Sequence, residues 1–341
     1  SMQLINNIIP EPTKDESIKA LLSAQDMAFE HGLTTVSEAG ISKEQIELID
    51  SLQNSGILKI KIYAMIDNGP DVDYYISQGP YKTDRLNVRS VKVYVDGALG
   101  SRGASMINEY SDRKGYFGII RTPIDSIKSL AFKLAGTGFQ MNTHAIGDNA
   151  NRIVLNAYRD ALFNYRDPRW RIEHAQVVNE DDIELFNQKI IPSVQPTHAT
   201  SDMYWLYDRI GKERAKHAYA YQELFEKSKV IAFGTDFPVE DINPIMTFYS
   251  ATVRKDKDGY PEDGFQTENI MNRADALLAM TIFGAYANFE EEEKGSIELG
   301  KDADFIILDN DILRSSEARI PNTNIVATFI NGELVFNRRY N

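Results

Sequence analysis

The sequence predicts an α/β chain: a TIM-type (β/α)8 barrel with one strand unaccounted for, followed by a small C-terminal β module. Two observations lead there. Short β-rich runs alternate with amphipathic helical stretches along most of the chain, which is the signature of βαβ units around a parallel sheet. Polar or ionisable residues stand at or just past the ends of these runs: Glu38, Asp67, Asp96, His144, His174, Gln195 and Asp236. A barrel builds its active site on that C-terminal face from many strands at once, whereas an open doubly wound sheet offers one switch point.

The elements follow in order. Thr13 and Glu16 have the capping-box spacing, and a helix is expected to about His31 with Gly32 as its stop. Residues 33–38 (LTTVSE) read as a strand. Ser42 and Gln45 form a second capping box, opening a helix that ends near Gly56. Residues 57–66 (ILKIKIYAMI) are a strand, and a polar loop follows. Residues 90–102 (SVKVYVDGALGSR) carry the next strand. Its Val91, Val93 and Val95 alternate with Lys92, Tyr94 and Asp96, so the valines share one face and the polar residues the other. Thr122-Pro123 starts a helix with Pro at its first position, ending near Gly136. Strands at 139–143, 170–174, 190–195 and 230–235 alternate with helices at 149–164 and 179–188 and two tyrosine-rich helical stretches in 201–228. Asn243-Pro244 opens a helix to about Arg254, and further helices lie within 267–288. That makes seven strands, at roughly 33, 58, 91, 139, 170, 191 and 230, where a closed barrel of this type has eight. Beyond residue 288 an acidic turn is expected, then two short strands within 295–308 and a hairpin at 328–336 around Asn331-Gly332, a type I′ signal. The division is thus a barrel over 1–288 and a β module over 289–341 that packs on it.

Composition bounds the function. The 341 residues carry a net charge of −13 and show no basic cluster, which argues against a nucleic-acid partner. No run of about 18 apolar residues is present, so no helical membrane span is expected. A cytoplasmic chain fits these features, although residues upstream of Ser1-Met2, which read as a tag-cleavage remnant, could carry an export signal. With no cysteine, a metal site must use histidine, carboxylate or modified lysine.

His144 (MNTHAIGD) and His174 (RIEHAQ) end successive strands, where neutral imidazoles can meet at one divalent cation. Buried histidines with backbone partners are the plain alternative. Asp236 (FGTDFPV) can ligate a metal and take a proton from bound water, or simply form an Asx-turn. Lys92 is harder to explain plainly. It either pairs with Asp96 four residues on, or it is deprotonated by burial and takes up carbon dioxide as a carbamate. His198 (QPTHATSD) and Gln195 are candidate substrate contacts, as is Arg102 for a substrate carboxylate. For His198 a loop role, and for Arg102 a surface ion pair, are the alternatives. Asp148 is a helix cap or, with Asp96, a partner that orients a ligating histidine. His31 and His217 read as structural and surface residues.

Taken together, these stretches resemble the amidohydrolase superfamily, in particular amidohydrolase family 3, the branch similar to N-substituted formamide deformylases. The resemblance rests on VKVYVDGALGSRGA (91–104), NTHAIGDNA (142–150), RIEHAQ (171–176), SVQPTHATSDMYW (193–205), FGTDFPVEDINP (233–244), GSIELGKDADFIILD (295–309) and TFINGELVF (328–336). It implies a metal-dependent hydrolase of amide-type, non-peptide C–N bonds acting through metal-activated water. Lys92 would be the carboxylated lysine, His144, His174 and Asp236 the other metal ligands, and Asp236 also the general base. It implies one or two divalent ions, zinc foremost, and a small amide-type substrate. The family's first strand ends in His-x-His, and no such pair occurs here. The first strand of this chain resembles the family's second, so the expectation is an N-terminally truncated piece: a barrel lacking its first strand, holding at most one metal well and nearly inactive. Its open edge is expected to support a homodimer. The competing expectation is a non-catalytic metal-binding or scaffold protein derived from the same barrel.

Overall fold

The computed structural model describes residues 9–10 and 12–338 of the chain. The Ser1-Met2 reading lies outside the described residues. Helix α1 (Lys14–Glu30) opens on the expected capping box of Thr13 and Glu16. Strand β1 (Thr35–Ile41) follows. Helix α2 (Lys43–Asn54) starts on the second capping box, Ser42 with Gln45. Strand β2 (Lys61–Asp67) leads to α3 (Asp71–Gln78) and a two-residue strand β3 (Tyr81–Lys82), both of which the sequence reading left as loop.

Strand β4 (Leu86–Tyr94) carries Lys92 and begins earlier than the valine alternation suggested. Then come α4 (Ile124–Leu134), β5 (Gln140–Ala145), α5 (Asp148–Ala161), β6 (Trp170–His174) and α6 (Glu180–Ile183). Strand β7 (Ile190–Val194), α7 (Pro196–Ala215), α8 (Tyr221–Ser228), β8 (Ala232–Phe233) and α9 (Pro244–Val253) complete the alternation. Pro123 caps α4 rather than occupying its first turn, because its ψ of 139° is extended.

The seven expected strands form a curled parallel sheet in the order β1-β2-β4-β5-β6-β7-β8, with β3 antiparallel on β4. This is the TIM-type barrel architecture, open between β1 and β8. Its outer face buries Val91, Val93, Met141, Trp170 and Ile172 under the helices. Its inner face carries Lys92, Asn142 and Arg171 in one row of the ladder and Tyr94, His144 and Glu173 in the next. The helices α10 (Arg273–Met280) and α11 (Ile282–Ala287) pack against β8.

The C-terminal module is a three-stranded antiparallel sheet of β9 (Phe305–Leu308), β10 (Ile325–Ile330) and β11 (Glu333–Asn337), with β10 in the middle. Asn331 and Gly332 both have positive φ (51° and 78°), as a type I′ turn requires. Only one of the two strands expected within 295–308 forms; Ile297 and Leu299 are fully exposed and pair with no strand among the described residues. The module docks on α1, where the Thr328 hydroxyl donates to the Phe29 carbonyl at 2.7 Å, and on β2, where Lys61 pairs with Asp302 and Asp304.

Candidate metal centre

The strand ends of the curled sheet converge on one cluster. His144, on β5, and His174, ending β6, have ring centroids 4.4 Å apart. His174 would point away from the lumen by simple alternation, since its neighbours Arg171 and Glu173 share the inner face. Positive φ at His174 (75°) and Ala175 (40°) breaks the pleat there and redirects the chain. His198 enters from the first turn of α7, its ring stacked on His174 at 6.0 Å. Asp236 lies just beyond β8, also at positive φ (57°). One donor atom each from His174, His198 and Asp236 lies within 4.8 Å of the others, an arrangement able to hold a metal ion.

Burial sets the protonation of these groups. The His144 pKa is pushed down to about 3, by burial first and by the Lys92 and Arg121 charges second. His174 is held well below its ordinary range, again by burial first, then by His144, Lys92 and His198. Both rings are therefore neutral at pH 7, the form that ligates metal. His198 goes the other way. Burial lowers its pKa, but the carboxylates of Asp236 and Glu240 beside its two ring nitrogens outweigh that and bring it up to about 9.

Lys92 is buried on β4 with its ammonium 5.0 Å from the Tyr94 ring, and it makes no hydrogen bond or ion pair among the described residues. Burial lowers its pKa; Glu173 and Asp236 oppose that and Arg171 adds to it. The plain alternative, a Lys92–Asp96 ion pair, does not form among the described residues. Asp96 instead accepts the backbone N–H groups of Ser105 (2.9 Å), Ile146 (3.0 Å) and Gly147 (2.8 Å). Backbone amides reach this carboxylate first because Gly147 lets the Ser105 carbonyl pack where a Cβ would sit 2.0 Å from its oxygen. Asp96 also lies 3.5 Å from His144 Nε2, as an orienting partner would.

The other expected residues divide. Asp148 sits in the first turn of α5 rather than at its cap, which is Gly147. It accepts from the Ile107 amide at 2.7 Å and pins the loop after β4, with no hydrogen bond or ion pair to either histidine among the described residues. Arg102 is engaged bidentately by Asp112 at 2.9 and 2.8 Å, the ion-pair alternative. Gln195 is the residue before α7; its buried Oε1 has no partner, and its carboxamide lies beside His174.

Two neighbours escaped the sequence reading. Glu173 accepts both Arg171 donors (2.7 and 2.9 Å) and the Ser193 hydroxyl (2.8 Å), placing a fixed anion beside Lys92. Glu240 holds His198 Nδ1 at 2.9 Å. Position was the available signal: Glu173 directly precedes His174, and Glu240 follows Asp236 by four residues.

Unpartnered buried polar atoms give the test of whether a cation fits. Asn142 Nδ2 and Oδ1, His144 Nε2, His174 Nδ1 and Gln195 Oε1 are all buried without a hydrogen-bond partner among the described residues. Buried polar atoms are normally satisfied, so several orphans around two neutral histidines and a carboxylate mark a place built for a ligand. The donor set fits a divalent cation.

A curled parallel β/α sheet with histidines and a carboxylate gathered at its strand ends is a TIM-type barrel scaffold with a candidate metal centre. The chain belongs to the Amidohydrolase family, whose model matches residues 2–336. It is 30% identical to the LONG AFTER FAR-RED 3 protein of Arabidopsis thaliana over 353 residues, covering 98% of this chain and 60% of that protein. It is 31% identical to YtcJ of Bacillus subtilis over 262 residues, covering 76% of this chain and 48% of that one. It is 22% identical to an N-substituted formamide deformylase of Arthrobacter pascens over 338 residues, covering 95% of this chain and 61% of that enzyme. A metal-dependent hydrolase from Pyrococcus furiosus superposes with a TM-score of 0.80 at 28% identity, covering 92% of this chain and 64% of that one. The chain thus spans about half to two-thirds of the length of these relatives.

Proposed function

We propose that this chain carries the catalytic face of a hydrolase acting on non-peptide, amide-type C–N bonds of small molecules. One observation carries the reading: His144 and His174 lie ring to ring, each with a buried nitrogen that has no hydrogen-bond partner, within reach of the charge of an unpaired, buried Lys92. Lys92, His144, His174 and Asp236 would hold the cation, with His198 as a further donor. A divalent cation, zinc in this proposal, lowers the pKa of a bound water toward about 7. Asp236 takes the proton released when water oxygen adds to the amide carbon and returns it to the leaving nitrogen as the C–N bond breaks. Asp96 orients His144, and Glu173 with Asp236 supplies negative charge opposite Lys92. Addition of the neutral Lys92 amine to carbon dioxide forms an N–C bond, releases one proton and turns a cation into an oxygen ligand.

Arg121 supports an anionic group on the substrate. Its guanidinium lies 5.4 Å from the Tyr94 ring, its charge reaches His144, and it forms no ion pair among the described residues. Gln195 completes the polar wall beside His174. Residues 1–288 would form the barrel unit and 289–341 the module packed on it.

The sequence holds no His-x-His pair, so this chain alone should hold one metal well and turn over slowly. The test is zinc titration followed by assay against N-formyl amines and N-formyl amino acids. One zinc bound per chain, with slow, chelator-sensitive release of amine and preference for the acidic substrates, supports the reading. Zinc binding with no amine release from any substrate favours the non-catalytic metal-binding alternative. Failure to bind zinc in the presence of bicarbonate rejects both.

A further inference from the structure

His198 faces a carboxylate at each ring nitrogen and is hydrogen-bonded at one of them. Nδ1 lies 2.9 Å from Glu240 Oε1, and Nε2 lies 3.7 Å from Asp236 Oδ2. The two carboxylates come from one short loop after β8, closed by the Val239 N–H donating to the Asp236 carbonyl at 2.8 Å. Glu240 is itself anchored, since the Ser201 hydroxyl donates to the same Oε1 at 2.6 Å. Ser201 lies one turn along α7 from His198, so both contacts come from one helix. The Glu240 side chain is 16% exposed and that of His198 10%, so this hydrogen bond is shielded from water.

We propose that Glu240 is a positioning residue: by accepting the Nδ1 proton of His198, it leaves Nε2 to face Asp236 and the cation of the cluster. The inference rests on His198 being a metal donor. The reason is tautomeric. An imidazole offers a lone pair at one nitrogen only when the proton sits on the other, and the partner of that N–H decides which. Without an acceptor at Nδ1, the Asp236 carboxylate would draw the proton to Nε2 and block the side that must ligate. Glu240 thereby also keeps Asp236 free for its own cation contact and proton. The loop is a single device that fixes a ligand, its tautomer and the general base together.

The experiment uses the full chain with histidine labelled by nitrogen-15, zinc as the probe, and the variants Glu240→Ala and Glu240→Gln. Long-range nitrogen–proton correlation spectra report which nitrogen of His198 carries hydrogen and which meets zinc; His198→Asn assigns the signals. The wild type should show Nδ1–H with Nε2 on zinc. Glu240→Ala should lose that state and weaken zinc binding on the order of 10–100-fold. Glu240→Gln keeps an acceptor oxygen, so it should restore the tautomer and most of the affinity. The proposal is overturned if Glu240→Ala retains Nδ1–H and wild-type zinc affinity, even with a lower Tm. It is overturned too if His198 never meets zinc while the chain binds zinc normally. If the wild type binds no zinc at all, the metal reading fails. The tautomer of neutral His198 in the metal-free chain then decides the Glu240 role: Nδ1–H that survives Glu240→Ala overturns it, and a switch to Nε2–H supports it.

Discussion

Lys92, His144 and His174 bear a desolvation cost that their neighbours offset only in part. Lys92 is 5% exposed and unpaired, and its pKa is lowered chiefly by burial. An amine kept partly neutral is competent to capture carbon dioxide, so carbon-13 bicarbonate with zinc should give a carbamate carbonyl resonance. Lys92→Met should abolish that resonance while leaving the fold intact, because a methionine fills similar space without a charge to bury. A resonance that persists in the variant would rule Lys92 out as its site. The histidines make a separate prediction in the chelated protein. Their folded pKa values lie below the ordinary 6.5, His144 at about 3 and His174 well down. The unfolded chain therefore binds protons that the folded one refuses as pH drops below 6.5. Their stabilisation is complete above that pH and is lost on acidification, for His144 down to about pH 3, each contributing a slope of about 1.4 kcal/mol per pH unit. Denaturant melts at pH 7, 5.5 and 4 measure this, and replacing both histidines by Asn should flatten the slope.

At the scale of elements, the clamp between β2 and the C-terminal sheet is the most exacting contact. Lys61 is fully buried and meets Asp302 at 2.6 Å and Asp304 at 2.7 Å. The Asp304 side chain is itself only 4% exposed, so Lys61→Met should cost about 3–5 kcal/mol by stranding a buried carboxylate. Adding Asp304→Asn should recover much of that loss in a chemical melt; equal damage in single and double variants would mean the pair is not the cause. Such long-range pairing was not readable from residue patterns, and neither were several elements. Both capping boxes and the hairpin were legible because their chemistry is local. The start of β4 was not, because Asn87, Arg89 and Ser90 are polar within a strand. Asn87 faces the lumen side and donates to the Asn288 carbonyl at 3.0 Å, a partner distant in sequence. His144 and His174 were legible from their strand ends. His198 was flagged as a substrate contact, because a histidine in the first turn of a helix gives no hint that the helix axis points it at another strand's ligand. Glu240 looked like part of a turn, and only the path of the loop past His198 gives it a role.

At the scale of the whole molecule, the sheet ends on two strands that do not pair with each other. Strand β8 is two residues long, and β1 exposes Ser37, Glu38 and Ala39 on its run. Beside the gap, Asn288 links β1 to β6: its side chain takes the Arg171 guanidinium at 2.9 Å and donates to the Ser37 hydroxyl at 3.4 Å. Beside β8 lies a cavity of about 310 Å³ between the apolar Val230, Ile282, Phe283 and Tyr286 and the acidic Glu291 and Glu292. An edge strand with unpaired backbone groups is a template for pairing with another chain. The side chains that blunt such edges are charged ones, and β1 offers Glu38 alone. We therefore expect a homodimer formed through this opening, with a mass near twice 38.6 kDa by light scattering at micromolar concentration. Ala39→Lys places a second charge on the same edge and should shift the equilibrium to monomer without lowering zinc affinity, because Ala39 contributes no side chain to the cluster. A wild type that stays monomeric across the accessible concentration range would mean that the Asn288 link alone is enough to protect the edge.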